Sequence, residues 1–216
     1  MIQPTIAVFQ HHPAEGVGRI ELWAERRNIT LECFYAPDEL PASLMKYQGL
    51  IVLGGPMNVA DNPLWMRAEC ALINQALELP RPILAICLGA QLLATQLGGK
   101  VVEMPEPELG WQQVSINGSQ VLAVPQWHYQ AIALPQHIDV LASSALCQVQ
   151  MFRHQHAIGL QFHPEWDSKQ MTQLQEHFAD ECPFSNTLPQ NALHTEQQNQ
   201  LEQFLFALLD QQFKSA

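Results

Sequence analysis

Positive charge is scarce in this chain: 10 Lys and Arg stand against 21 Asp and Glu in 216 residues, a formal net charge of −11. Binding to a phosphate backbone needs clustered Lys and Arg, so a nucleic-acid partner is excluded. A small-molecule substrate, or a partner protein with a basic face, fits better. Charged residues are few altogether, at 14% against 47% hydrophobic, which argues against a disordered or fibrous chain. The five cysteines, Cys33, Cys70, Cys87, Cys147 and Cys182, are odd in number and form no CxxC pair. Neither a zinc knuckle nor a disulfide framework is therefore indicated. No apolar run approaches the ~20 residues that span a bilayer, so no membrane segment is expected. Met1-Ile2-Gln3-Pro4 lacks the basic and apolar regions of a signal peptide. The expected compartment is the cytoplasm, where a thiolate stays reduced and available.

What is present is the pattern of a single α/β domain covering residues 1–216. Four apolar runs, Thr5–Gln10, Leu31–Ala36, Gly49–Gly55 and Pro82–Cys87, read as strands alternating with helical patterns, the mark of a mainly parallel sheet with helical crossovers. Asp61-Asn62-Pro63 offers an N-cap and a first-turn proline for a helix through about Leu79. Another helix should follow Cys87 and stop at Gly98-Gly99. From Val101 to Gln161 the runs are broken by Pro105, Pro107, Gly110, Gly118, Pro125 and Pro135, which predicts short antiparallel strands. Ala157–His163 is the last strand expected. Two helices close the chain, about Ser168–Glu181 and Glu196–Phe213, the second with Leu201, Phe204, Leu205, Leu208 and Leu209 on one face. Gln and Asn crowd the linker between them and the opposite face, and read as solvated. No internal repeat is visible.

Three segments carry chemistry. In Ile83-Leu84-Ala85-Ile86-Cys87-Leu88-Gly89-Ala90-Gln91 an apolar strand runs into a cysteine, then a glycine, then a helix. That is the layout of a nucleophile elbow, with small residues (Ala85, Gly89) flanking a sharp turn. The helix N-terminus would favour a thiolate there. On this segment alone a buried structural cysteine reads equally well. In Gly159-Leu160-Gln161-Phe162-His163-Pro164-Glu165, His163 and Glu165 are two apart and would share one face of a strand, as a general base and its orienting carboxylate must. By itself this pair also fits a strand-end histidine beside a surface glutamate. Gly54-Gly55-Pro56-Met57-Asn58 follows a strand, where a glycine turn can aim an N–H into the crevice at the sheet's carboxyl edge.

Taken together and in this order, Gly54-Gly55-Pro56, Cys87-Leu88-Gly89-Ala90-Gln91 and Phe162-His163-Pro164-Glu165 resemble the class I glutamine amidotransferases, in particular the subgroup similar to the glutaminase part of GMP synthase. The resemblance runs from about Ala7 to Glu165, with landmarks at Leu109-Gly110-Trp111 and Gln126-Trp127-His128. It implies a flavodoxin-like fold with a small antiparallel subregion. It also implies Cys87 as nucleophile, His163 as acid/base and Glu165 as the group that orients the imidazole. The amides of Gly55 and Leu88 would be the oxyanion donors, and Gln91, Pro56 and His128 candidates for holding substrate. No metal or cofactor is expected.

Two departures stand out. Ala85 replaces a frequent glycine, and Trp127-His128 leads into Tyr129-Gln130 where relatives commonly have Gly-Asp. The second leaves the substrate open between glutamine and a γ-glutamyl amide or peptide. Nearly all residues are used by one domain, so any ammonia acceptor would be a separate synthetase protein. The remaining alternative is a non-catalytic binding or regulatory module. A peptidase-type relative would carry its histidine directly after the nucleophile, where Leu88 stands. The other histidines, His11-His12 and His154/His156, read as loop or surface residues, and the Met and Trp residues as core.

Overall fold

The computed structural model describes residues 3–184 and 192–214, with side chains from 195 onward in the second stretch. Among these residues nine strands form one sheet. The parallel half comprises β1 (Thr5–Gln10), β2 (Thr30–Tyr35), β3 (Gly49–Val52), β4 (Ile83–Ile86) and β9 (Ala157–Leu160), in the spatial order β2-β1-β3-β4-β9. β3, β4 and β9 read GLIV, ILAI and AIGL, and every residue in them is buried. Continuous apolar runs of this kind belong to strands covered on both faces.

The covering layers follow the alternation along the strands. Val8, Ile51, Leu84 and Ile158 face α1 (Arg19–Arg26) and α5 (Ala192–Gln212) through Trp23, Leu201, Leu205 and Leu209. Ala7, Leu50, Ile83 and Ala157 face α2 (Leu64–Glu78) and α3 (Leu88–Gln96) through Met66, Ile73 and Leu92. Leu201, Leu205, Leu208 and Leu209 of the expected apolar face of α5 are buried, and Phe204 packs partly buried against them. The Gln/Asn linker before α5 lies largely outside the described residues. α1 has no start signal in the sequence, because Gly18 caps it without a side chain.

The antiparallel half departs from expectation. β5 (Lys100–Ile116) and β6 (Gln120–Ala133) form a long hairpin, joined through β7 (Asp139–Ser143) and β8 (Met151–His154) to β9. The prolines break the runs less than their number suggests. Pro105 and Pro107 fall inside the register shift between Glu103 and Glu108, and Pro125 lies on β6, the outermost strand. Both are positions where a missing N–H costs little.

Asp61-Asn62-Pro63 also works differently. Asn58 and Asp61 cap a short 3-10 turn reciprocally, Asn62 turns left-handed (φ 44°), and Pro63 occupies the cap position just before α2. Ser168–Phe178 forms α4, capped by the Asp167 carboxylate accepting from the Gln170 amide at 2.7 Å, and a 3-10 turn (Ala179–Glu181) follows.

The central strands end earlier than the apolar runs suggest: β3 stops at Val52, β4 at Ile86 and β9 at Leu160. The chemistry-bearing segments therefore sit just beyond their carboxyl ends. Among the described residues no helix is long and apolar enough to cross a membrane. Leu205→Ala, at a fully buried position of α5, is expected to destabilise the fold by about 2–5 kcal/mol in denaturant titrations. Leu22→Ala, on the exposed side of α1, should stay within about 0.5 kcal/mol of the parent.

Candidate functional site

Cys87 sits between β4 and α3 with φ 50° and ψ −110°, a backbone conformation rare for any residue other than glycine. Such strain, on the order of 1–3 kcal/mol, persists only where the surroundings over-determine it. Here they do. The Cys87 amide donates to the Leu160 carbonyl at 2.7 Å, and the Gly89 amide to the Leu53 carbonyl at 3.1 Å. Its own carbonyl accepts from the Gln91 amide at 2.9 Å, closing the first turn of α3. The turn is thus pinned on both sides by the neighbouring strands, and the sulfur is presented at the helix N-terminus. The Gln161 side chain donates to that sulfur at 3.8 Å and accepts from Gln91 at 3.4 Å.

His163 and Glu165 lie beyond β9 in a turn, not on a strand as the spacing suggested. The turn still brings them together: His163 Nδ1 is 2.7 Å from Glu165 Oε1, and the imidazole lies close enough to Cys87 for the two to interact electrostatically. The His163 amide donates to the Pro125 carbonyl at 3.0 Å, tying the turn to β6. Buried Arg19 donates to the carbonyls of Pro164 and Trp166, and its amide donates to the Glu165 carbonyl at 2.8 Å. Trp166 stacks on the imidazole with ring centroids 3.6 Å apart and planes 13° from parallel. Burial opposes charge on His163, but Glu165 and Cys87 outweigh it and push the imidazolium up to about 10. A protonated imidazole beside sulfur is the counter-charge a thiolate nucleophile requires.

A further carboxyl group stands here that no motif announced. Glu15, in the loop between β1 and α1, is buried beside His163. Burial raises its pKa to about 7 even though His163 pulls the other way. Gly54 makes this crowding possible. A Cβ on Gly54 would lie 2.7 Å from His163 Cε1, 2.9 Å from Glu15 Oε2 and 3.4 Å from Cys87 Cβ.

These groups open onto one cavity of about 490 Å³, bordered by Glu15, Gly55, Pro56, Cys87, Leu88, Gln91, His128, Tyr129, His163 and Trp166. That size suits a small ligand. Every site residue singled out in the sequence reaches this cavity except Glu165, which lies behind His163. His128 is on β6 rather than in a loop. Its Nδ1 is 2.9 Å from the Gln130 carbonyl, and its Nε2 lies 3.1 Å from Glu108 Oε2 without a well-aligned hydrogen bond. Burial raises the Glu108 pKa, but contacts with His128, Ser144 and Gln150 outweigh it and hold the group below its ordinary value.

Other residues depart from the sequence reading. His11 lies in the loop after β1 as expected, but it is fully buried and bonded to Glu69 and to the Gly54 carbonyl, so it is no surface histidine. Trp166 is core by burial yet belongs to the site. The one signal that favoured His11 was its position at the carboxyl end of a parallel strand, where ligand sites cluster. For Glu15 and Trp166 the chain offers no comparable signal. His154 and His156 belong to the β8–β9 hairpin and do not border the cavity, and His156 contacts the Ala76 carbonyl at 3.2 Å. Among the described residues no group of three or more His, Cys, Asp or Glu could hold a metal ion.

A parallel sheet with a strained cysteine turn at its carboxyl edge, facing a buried His–Glu pair, defines a class of protein, and comparison with known proteins agrees. The family "Glutamine amidotransferase class-I" matches residues 22–182. The chain belongs to this family. It is 30% identical over 194 residues to YfeJ of Salmonella typhimurium, a glutamine amidotransferase-like protein, covering 79% of this chain and 80% of that one. It is 31% identical over 160 residues to one subunit of the glutamine-hydrolyzing GMP synthase of Thermoplasma acidophilum, covering 68% and 78%. A crystal structure of a glutamine amidotransferase from Thermotoga maritima superposes with a TM-score of 0.89 over the whole of both chains, at 27% identity.

Two titrations follow from the electrostatics. Glu165→Gln removes the carboxylate that sustains the imidazolium, so NMR titration should show the His163 pKa falling from about 10 by at least one unit. Glu15 has a folded pKa of about 7 above an ordinary 4.5, so its contribution to stability is full below about pH 4.5 and lost as pH rises through 7. Glu15→Gln, which mimics the protonated acid, should therefore raise Tm by a few degrees at pH 8 and change it little at pH 4.5.

Proposed function

We propose that the protein hydrolyses the side-chain amide of glutamine through a thioester on Cys87, giving glutamate and ammonia. The observation that carries this reading is the convergence on one cavity of Cys87, Gly55, Leu88 and His163, the last held by Glu165 at 2.7 Å. Each supplies a different requirement of acyl transfer.

The Cys87 thiolate attacks the amide carbon, forming a C–S bond and an oxyanion. The Gly55 and Leu88 amides donate to that oxyanion, a contribution typically worth 10²–10³ in rate per donor. As the C–N bond breaks, His163 passes its proton to the leaving nitrogen, and ammonia departs. Water then attacks the thioester while His163 takes up a proton, the C–S bond breaks, and glutamate leaves. Glu165 keeps the imidazole oriented and supports its positive charge, while stacked Trp166 limits its rotation. Gln91, Pro56 and His128 border the space for the amino-acid part of the substrate.

The ammonia needs an acceptor, and one relative is named as a subunit of a GMP synthase rather than as a whole enzyme. A separate synthetase is the partner this implies, and the −11 charge suits a basic docking face. One feature favours a second substrate. Tyr129 borders the cavity while 56% exposed, in position to stack on a leaving group larger than ammonia. A γ-glutamyl amide would fit the same acyl pocket.

Purified protein should release ammonia from glutamine, and Cys87→Ala should lower that rate at least about a thousandfold without lowering Tm. A glutamine-derived chloroketone should label Cys87 and no other cysteine. Absence of ammonia release and of labelling would sink the reading. Faster turnover of a γ-glutamyl amide than of glutamine would transfer it to the second substrate.

A further inference from the structure

The buried pair formed by His11, which directly follows β1, and Glu69 on α2 has no part in the chemistry above. Both side chains are fully buried, with His11 Nε2 2.8 Å from Glu69 Oε1. Glu69 Oε2 is buried with no hydrogen-bond partner among the described residues. Pairs of this kind add little stability over hydrophobic replacements, so stability alone is a weak reason for this one.

Its other contact is specific. His11 Nδ1 lies 3.0 Å from the Gly54 carbonyl oxygen. With Glu69 as a carboxylate, both ring nitrogens face acceptors, and both bonds then form only when each nitrogen carries a proton. The Gly54 carbonyl and the Gly55 N–H belong to one peptide group. No cis peptide occurs among the described residues, so these two bonds point in opposite directions. His11 holds the carbonyl toward the buried interior, which turns the Gly55 N–H the other way. Gly55 borders the cavity together with Cys87 and Leu88, whereas His11 does not. A peptide between two glycines would otherwise rotate with little restraint. Packing adds to the hold: a Cβ on Gly55 would lie 2.6 Å from His11 Cβ and 3.0 Å from Leu88 Cδ2.

We propose that the Glu69–His11 pair is a positioning device that locks the Gly54–Gly55 peptide with its N–H facing the cavity, so that the oxyanion hole is formed before substrate binds. Its catalytic consequence rests on the glutaminase reading above; the orientation of the peptide does not. Burial opposes charge on His11, but Glu69 outweighs it and raises the pKa, which favours the doubly protonated ring that can donate to the carbonyl.

His11→Phe removes the donor but leaves Glu69 buried alone, which endangers folding. The double variant H11F/E69M removes both polar groups and keeps an apolar interior. It is expected to fold with a Tm at or above the parent's. It should lose roughly 10- to 100-fold in kcat on glutamine at nearly unchanged KM, because a donor to the oxyanion acts in the transition state. Binding of glutamate γ-semialdehyde, which forms a tetrahedral adduct on sulfur, should weaken by a similar factor. Alkylation of Cys87 by iodoacetamide, which forms no oxyanion, should keep its rate. His11→Asn, whose amide can reach the same carbonyl, should regain a substantial part of the loss. A crystal structure of H11F/E69M should show the Gly54–Gly55 peptide rotated or in two orientations. If that peptide keeps the parent's orientation alone, the lock is wrong whatever the enzyme's substrate. If glutamine is not hydrolysed by the parent chain, the function proposed above fails while the crystal structure still decides the lock. Parent-like kcat and semialdehyde affinity in a folded H11F/E69M protein would likewise overturn it.

Discussion

The Cys87 amide donates across the boundary between β4 and β9 to the Leu160 carbonyl, and the Gly89 amide donates across the boundary between β4 and β3 to Leu53. These two bonds hold a cysteine in a left-handed conformation that it would otherwise leave. They also require three parallel strands to lie side by side and to end at the same height. The remainder of the site is a consequence of that constraint. The segment after β3 supplies Gly54 and Gly55, the segment after β4 supplies Cys87 and Leu88, and the segment after β9 supplies His163 and Glu165. The carboxyl edge of a parallel sheet is where such segments can meet, because every strand delivers its following loop to the same side.

Around that convergence the molecule invests in buried polar contacts. Arg19 grips the turn after β9 through two carbonyl oxygens, and Trp166 stacks on the imidazole. Glu15 is pressed against His163, while His11 and Glu69 hold the glycine turn from behind. Burial raises the cost of every unpaired charge, so these groups constrain one another more strongly than surface pairs would. The consequence is a cavity whose inner wall is held by buried contacts, while Tyr129 at its border remains largely exposed.

Not every part of this arrangement is legible in the chain. The order of apolar runs, the cysteine followed by Leu88 and Gly89, and the spacing of His163 and Glu165 were enough to anticipate a mainly parallel sheet and the three segments of the site. Strand ends were not legible, because an apolar residue continues a run whether or not its amide joins the ladder. The long β5–β6 hairpin was obscured by Pro105, Pro107 and Pro125, which the structure accommodates at a register shift and on an outer strand. Helix α1 was obscured because Gly18 supplies no capping side chain.

By itself the sequence determined the order of the central parallel strands and the three segments that follow them, since hydrophobic periodicity and turn chemistry are local properties. Only the tertiary structure decided which distant side chains are buried together. Glu15 reaches His163, Glu69 reaches His11, and Arg19 reaches the Pro164 carbonyl across 145 positions of chain. A glutamate, a histidine or an arginine reads as a surface residue until packing removes its water. After that, its partner, its charge state and its use are set by what the fold has placed within about 3 Å of it.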